Sequence, residues 1–203
     1  MSECMMLSIQ PEWVAKILNG DKTIEVRKQF PSVFKNDKPF KVYIYCTQKS
    51  YLLSYPVNGS YKFFDTNNKD DANSYKHYEG KVVGEFICDN VYTVKNDNGN
   101  FHCVEFPDKT NEIARDSCLG YSDMRRYCLL TSYAYHISNL KIYSEPIEIG
   151  RFTLTNGNQV IRPPQSYFYV KELYEVTEAN DPYSDNYSDT FCIHADFKRY
   201  KTV

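Results

Sequence analysis

Short stretches in which apolar and polar side chains alternate residue by residue, each fenced by turn-forming residues, dictate a sheet-built domain. In KTIEVRK, Ile24 and Val26 fall on one side of an extended chain and Thr23, Glu25 and Arg27 on the other. KVYIYCT sets Val42, Ile44 and Cys46 against Tyr43 and Tyr45. Further strands are predicted from Met6 to Ile9, in KVVGEFICDNVYTV with Gly84 as a bulge or kink, in NFHCVEF after an Asn98-Gly99 turn, in YAYHISNLKIY and in SYFYVKELYEV. SEPIEIGRFTL reads as strand or loop. Helical signals are fewer. PEWVAKILNG places Pro11 at the first helical position, carries an apolar stripe of Trp13, Val14, Ile17 and Leu18, and stops at Gly20. Thr110 and Ser122 are candidate caps of two short helices within 109–130, separated by Gly120. The expected fold is α+β and β-rich: a small mixed β-barrel with a few short helices, the first plugging one end.

A length of 203 residues suits one large domain with decorations. Residues 48–79 are rich in Tyr, Asn, Ser, Lys and Asp without sustained period, and read as an insertion loop with a hairpin at Asn58-Gly59. The main domain is expected over 1–176. Residues 177–203 read as a polar tail, acidic at the front: 172–190 contain Glu172, Glu175, Glu178, Asp181, Asp185 and Asp189 and no Lys or Arg. Such a tail is expected to be flexible or loosely docked.

Lys plus Arg is 24 and Asp plus Glu is 26, so bulk electrostatic attraction to long nucleic acid is not expected. The seven cysteines show no disulfide framework; a reducing cytoplasm, free thiols and no disulfide-linked partner are expected. The N-terminal residues lack a signal-peptide pattern, and no apolar run approaches the ~20 residues of a membrane span, so no membrane role is expected. No phosphate-binding loop or dinucleotide fingerprint occurs. His102-Cys103 and Cys192-x-His194 lack zinc-site spacing. Neither metal nor cofactor is expected.

Chemistry concentrates in GDKTIEVRK. Lys22 stands at the corner between helix and strand, and Glu25 and Arg27 share one strand face with Thr23 beside them. A carboxylate there accepts from an exocyclic amine of a base, and a guanidinium or ammonium holds phosphate or carbonyl oxygen. Across 16–41 the basic residues Lys16, Lys22, Arg27, Lys28, Lys35, Lys38 and Lys41 outnumber Asp21, Glu25 and Asp37, seven to three, a local balance of +4. On pattern alone, an exposed strand face with an ordinary ion pair worth ~0–1 kcal/mol is the commoner reading.

LSIQPEWVAKILNGDKTIEVRK resembles the opening of the ASCH domain family, of the PUA-like superfamily of small β-barrels, bacterial and phage type. Gly20, Lys22, Glu25 and Arg27 fill the family's G-x-K-x-x-E-x-R hallmark. KVYIYCT, GKVVGEFICD, and YHISNLKIY with PPQSYFYV extend the resemblance to about residue 172. It implies a PUA-like barrel with a cleft lined by the hallmark, and RNA or a modified nucleoside as partner. One small bacterial type is an amidohydrolase acting on N4-acetylcytidine, and other members are reported as ribonucleases. The resemblance matches the amidohydrolase's reactive lysine to Lys22, whereas its catalytic threonine falls where this chain has Glu25. Glu85, on a later strand, is the candidate for its glutamate. The catalytic set, if the protein is an enzyme, is therefore Lys22, Glu25 and Glu85. Tyr135 and Tyr167 replace tryptophans common in related sequences, with stacking expected to survive.

Candidate ligand contacts are Lys22, Thr23, Glu25, Arg27, Tyr45, His136, Ser138, Gln165 and Ser166. His136 serves equally as a base or phosphate contact and as a histidine satisfied by backbone. Ser138 and Asn139 fit bonding within their own turn better than ligand contact. Gln165 and Ser166 read first as a strand entry. Of the aromatics on the third strand and loop (Tyr43, Tyr45, Tyr51, Tyr55, Tyr61, Phe63 and Phe64), one or two are expected to stack on bases. Three functions follow: an RNA- or nucleoside-binding module of modest, strongly salt-dependent affinity; an amidohydrolase using Lys22; and an interaction protein working through the Tyr-rich loop and acidic tail.

Overall fold

The computed structural model describes residues 3–34, 38–73, 75–128, 130–173 and 193–194. The acidic tail therefore lies outside the described residues except at 193–194, as do Lys35 and Cys192. In chain order the strands are β1 (Glu3–Ile9), β2 (Ile24–Arg27), β3 (Phe40–Cys46), β4 (Tyr51–Val57), β5 (Ser60–Thr66), β6 (Lys76–His77), β7 (Val82–Asp97), β8 (Asn100–Cys103), β9 (Thr131–Ile147), β10 (Tyr167–Lys171) and β11 (Ile193–His194). The helices are α1 (Pro11–Leu18), α2 (Lys69–Ala72), α3 (Thr110–Asp116) and α4 (Tyr121–Tyr127).

The main sheet runs β10-β1-β3-β7-β9-β11, with β2 also on β9 and β8 on β7; the pair β1–β3 is parallel and the other pairs are antiparallel. The strand-rich α+β class holds. The closed barrel is not found: among the described strands no pairing joins β2 to β10 or β1. A side chain spans that gap instead. Arg27, at the end of β2, donates from Nη2 to the Ser8 carbonyl of β1, 3.0 Å away.

The alternation in β3 is realised face by face. Val42, Ile44 and Cys46 enter the largest core beneath α1, whereas Tyr43 and Tyr45 enter a second core with Phe152 and Val170 on the opposite side. Ile24 and Val26 of β2 pack into a third core under α3 and α4 with Ile113 and Met124. β7 bends where its register with β9 shifts between Val82 and Gly84. A Cβ on Gly84 would stand 2.5 Å from the Lys141 carbonyl oxygen, so this close strand approach requires glycine.

Segment 48–79 is not a structureless loop. It folds into a three-stranded sheet, β5-β4-β6, with α2 between β5 and β6. The hairpin at Asn58-Gly59 forms with φ of 48° and 80°, the mirror-type turn that this dipeptide favours. Asn19, just past α1, binds the outer edge of β5: its amide donates to the Phe63 carbonyl at 2.8 Å and accepts the Phe63 N–H at 2.9 Å. No period was visible because only some positions are buried; Leu52, Leu53 and Phe63 are, and most of β5 is exposed.

Two expected caps are displaced. Thr110 is the first residue of α3, after Lys109, and its hydroxyl donates to the Pro107 carbonyl. Gly120, not Ser122, precedes α4. No helix among the described residues is long and apolar enough to cross a membrane.

Candidate functional site

α1 ends as its sequence dictates. Gly20 adopts φ of 80°, its N–H donates to the Ile17 carbonyl, and the Asp21 N–H donates to the Lys16 carbonyl. This reversal turns Lys22 inward. Its Nζ donates to the Ile24 carbonyl at 2.8 Å and to the Ser117 carbonyl at 2.7 Å, and lies 3.3 Å from Glu25 Oε2. Ser117 caps the C-terminus of α3, so the ammonium meets the negative end of a helix as well as a carboxylate. Burial lowers the Lys22 pKa from the ordinary lysine value, and Glu25 works against that fall.

Arg27 completes the row. Its Nε lies 3.0 Å from Glu25 Oε1 yet has no hydrogen-bond partner, because the N–H is not directed at that oxygen; the contact is an ion pair only. Lys22, Glu25 and Arg27 are 3%, 7% and 8% exposed, so the ordinary solvated ion pair is not what forms. A charged row this deep persists only when paired and hydrogen-bonded.

The three side chains line a cavity of about 590 Å³. Ser8, Ile9 and Gln10 at the end of β1, with Thr47 just after β3, supply a second wall. Trp13 of α1 and Tyr127 of α4 line it too, as do Asp123, Arg126 and Gln165. Lys16 and Lys22 lie 4.5 and 5.4 Å from the centre of the Trp13 ring, and Lys28 lies 5.1 Å from that of Tyr127. The lining offers buried hydrogen-bonding groups, two aromatic rings and a half-open mouth, within the size range of small-ligand pockets.

Among solved structures, the ASCH protein from Zymomonas mobilis is similar with a TM-score of 0.50, at 15% identity over 83% of this chain and 87% of that one. Two substituted forms of the same protein, one with a serine and one with a tyrosine replaced, give 0.50 and 0.51 at 14% identity, covering 83% of this chain and 88% and 90% of theirs. The fold is that of an ASCH domain. No protein-family model and no curated protein matches the chain.

Within this ASCH fold the expected site residues separate. Lys22, Glu25, Arg27 and Gln165 share the cavity. Thr23 is spent on backbone pairing: its N–H donates to the Asp116 carbonyl and its carbonyl accepts the Ile137 N–H. Ser166 contributes a carbonyl to the Ser8 N–H, and the Ser138 hydroxyl donates to the Ile87 carbonyl at 2.9 Å. His136 sits outside the cavity lining, with Nδ1 2.6 Å from Asp89 Oδ1. Tyr45 is buried in the core on the other face of β3. Glu85 stands opposite Tyr43 in the sheet and faces away from the cavity, accepting from the Tyr143 hydroxyl at 2.6 Å and pairing with Lys41 at 3.3 Å. Tyr135 is fully buried and donates to the Gln29 carbonyl, and Tyr167 meets Tyr169 edge-on.

Several cations of the basic stretch 16–41 are neutralised by carboxylates. Lys41 is held by Glu172 at 2.8 Å and by Glu85, and Lys16 by Glu12 at 3.7 Å. Sequence reasoning missed Thr47, Asp123, Arg126 and Tyr127, which no local pattern ties to β2. Trp13 was read only as core; its position at the edge of the α1 stripe was the available signal.

Proposed function

We propose that the cavity binds one unpaired nucleobase, of single-stranded RNA or of a free nucleoside, modified or unmodified. The observation that carries this reading is the buried row itself: the acceptor Glu25 and the donors Lys22 and Arg27 line one cavity with the rings of Trp13 and Tyr127. Adjacent donor and acceptor match the amide- or amidine-like edge of a base, and the carboxylate disfavours an anionic edge. Trp13 and Tyr127 offer rings for stacking, each worth ~1–3 kcal/mol in comparable sites. The ASCH fold supports the choice of partner, and the PUA-like barrel that the family implies belongs to the same proposal; Arg27 bridging β2 to β1 is its closest counterpart.

Hydrolysis through Lys22 has less support. A nucleophilic amine needs a free lone pair, whereas Lys22 Nζ faces two carbonyls and a carboxylate. Glu85, its expected proton carrier, lies on the other face of the sheet.

Trp13 is the only tryptophan and lines the cavity, so its emission reports occupancy. Titration with a panel of modified and unmodified ribonucleosides and a short single-stranded RNA is expected to change that emission saturably for at least one member, without release of product. No response to any member at low salt removes the proposal. Product release lost on Lys22→Ala puts the hydrolase in its place.

A further inference from the structure

A second cavity, of about 570 Å³, is lined from the small sheet, the end of α1 and β9. Strand register assigns its first wall. Tyr61 and Phe63 are two apart on β5, Phe63 stands across from Ser54 of β4, and Ser54 across from Lys76 of β6. Side chains on a strand return to the same face at every second residue and share it with their cross-strand neighbours, so these four lie on one face. That face is turned inward, because Phe63 packs with Tyr78 into the largest core. The two rings meet edge-on at 5.3 Å, and the Tyr78 and Ser54 hydroxyls bond each other at 3.0 Å. Leu18 and Ile142 add apolar groups to the lining.

Lys76 is the charged residue of this face. Its Nζ lies 2.8 Å from the Ser144 carbonyl oxygen, 2.6 Å from Glu145 Oε1 and 5.7 Å from the centre of the Tyr78 ring, and all three partners line the cavity. The ammonium therefore stands at the cavity wall. It is also within reach of solvent: the Lys76 side chain is 42% exposed and that of Glu145 84%. An ion pair this exposed has little energetic weight, and an ammonium has a third N–H to give. Tyr61 is 53% exposed. A ligand reaches both groups without opening the fold.

We infer that this second cavity binds a small aromatic molecule carrying one anionic group. The aromatic body lies among the rings of the inner face, and the anion takes a charge-assisted hydrogen bond from Lys76 in exchange for Glu145. Charge sets the sign: a cationic ligand meets the Lys76 ammonium, whereas an anionic one replaces a carboxylate that already sits in water. The two cavities share no lining residue, so the inference does not rest on the nucleobase reading.

Anilinonaphthalene sulfonate, an aromatic body with one sulfonate, tests this through its own emission with the full chain under native conditions. Saturable binding of one probe per chain is expected. Lys76→Met is expected to weaken it about tenfold, the weight of a hydrogen bond to a charged group. Glu145→Gln, which removes the competing carboxylate, is expected to strengthen it. Phenylnaphthylamine, the same rings without the sulfonate, is expected to bind wild type and Lys76→Met alike, and Tyr61→Ala to weaken both probes. Absence of saturable sulfonate binding overturns the inference. Equal sulfonate affinity of Lys76→Met and wild type overturns it too, by placing the probe elsewhere, as does an equal loss of both probes, which gives the lysine a role in shape rather than charge. Should Lys76→Met fail to fold, Glu145→Gln decides: the sulfonate gains and the neutral probe does not, and a gain shared by both probes, or none, overturns the inference. The nucleobase reading of the first cavity stands or falls separately, on Trp13 emission.

Discussion

Glu25 holds two buried cations at once, Lys22 on Oε2 and Arg27 on Oε1. Glu25→Gln removes the charge and leaves both cations with backbone carbonyls but no carboxylate partner, a change that typically costs ~3–5 kcal/mol when a buried pair is broken. Urea unfolding at neutral pH is expected to show a loss of that order with an unchanged slope; a loss below ~1 kcal/mol would mean that water reaches the row. His77 offers a residue-level pH prediction. Its Nδ1 lies 2.9 Å from Glu79 Oε1 and its Nε2 contacts the Ala72 carbonyl, so both ring nitrogens are set to donate and the histidine pKa is raised, chiefly by the Glu79 hydrogen bond and then by the Ala72 carbonyl. A raised folded value means that the stabilisation is fully present below the unfolded value of ~6.5 and is lost as pH rises through the folded one. The ring-proton NMR titration of His77 is expected to have its midpoint above ~6.5 and to move down in Glu79→Gln. An identical midpoint in the two proteins counts against the pairing.

Among the elements, β7 carries the sharpest constraint. It pairs with both β3 and β9, and Gly84 lies where the β9 backbone approaches to 2.5 Å of a would-be Cβ. Gly84→Ala therefore drives a methyl group into main-chain atoms that cannot rotate aside. A loss of ~1–3 kcal/mol in chemical unfolding is expected, as for overpacked cores; full stability would place the strands farther apart than described. Alternation made the faces of β2 and β3 legible, and Pro11, Gly20, Asn58-Gly59 and Asn98-Gly99 marked their turns, because these signals act over a few residues. The small sheet was not legible. β5 and β6 are mostly exposed, and β5 is held at its edge by the Asn19 side chain, 44 residues away in sequence.

The charges of the chain are nearly balanced, and Lys16, Lys22, Arg27 and Lys41 of the basic stretch are each paired with a carboxylate. Lys41 is tied to Glu85 and Glu172, while Lys22 and Arg27 are committed to Glu25. Lys28 lies against the Tyr127 ring, and Arg126 lines the cavity and is shared with Asp123. The strong salt dependence expected from composition is accordingly revised. Single-stranded RNA releases ions equivalent to a slope of about −0.7 in log K against log salt for each phosphate neutralised. One or two phosphate contacts give a slope between about −0.7 and −1.4 on that scale. A markedly steeper slope would point to a basic surface other than this cavity.

The sequence by itself determined where the chain turns, which side chains share a strand face, and that an acid and a guanidinium stand one pleat apart, since period and backbone preference are properties of neighbouring residues. The tertiary structure alone decided what those faces meet. It brought the Ser117 carbonyl to Lys22, separated by 95 positions, sent Tyr45 and Glu85 to the far side of the sheet, and set Thr47 in the same hollow as Arg27. Such meetings depend on strand order and register, which arise from burying three cores at once, and no local pattern encodes them.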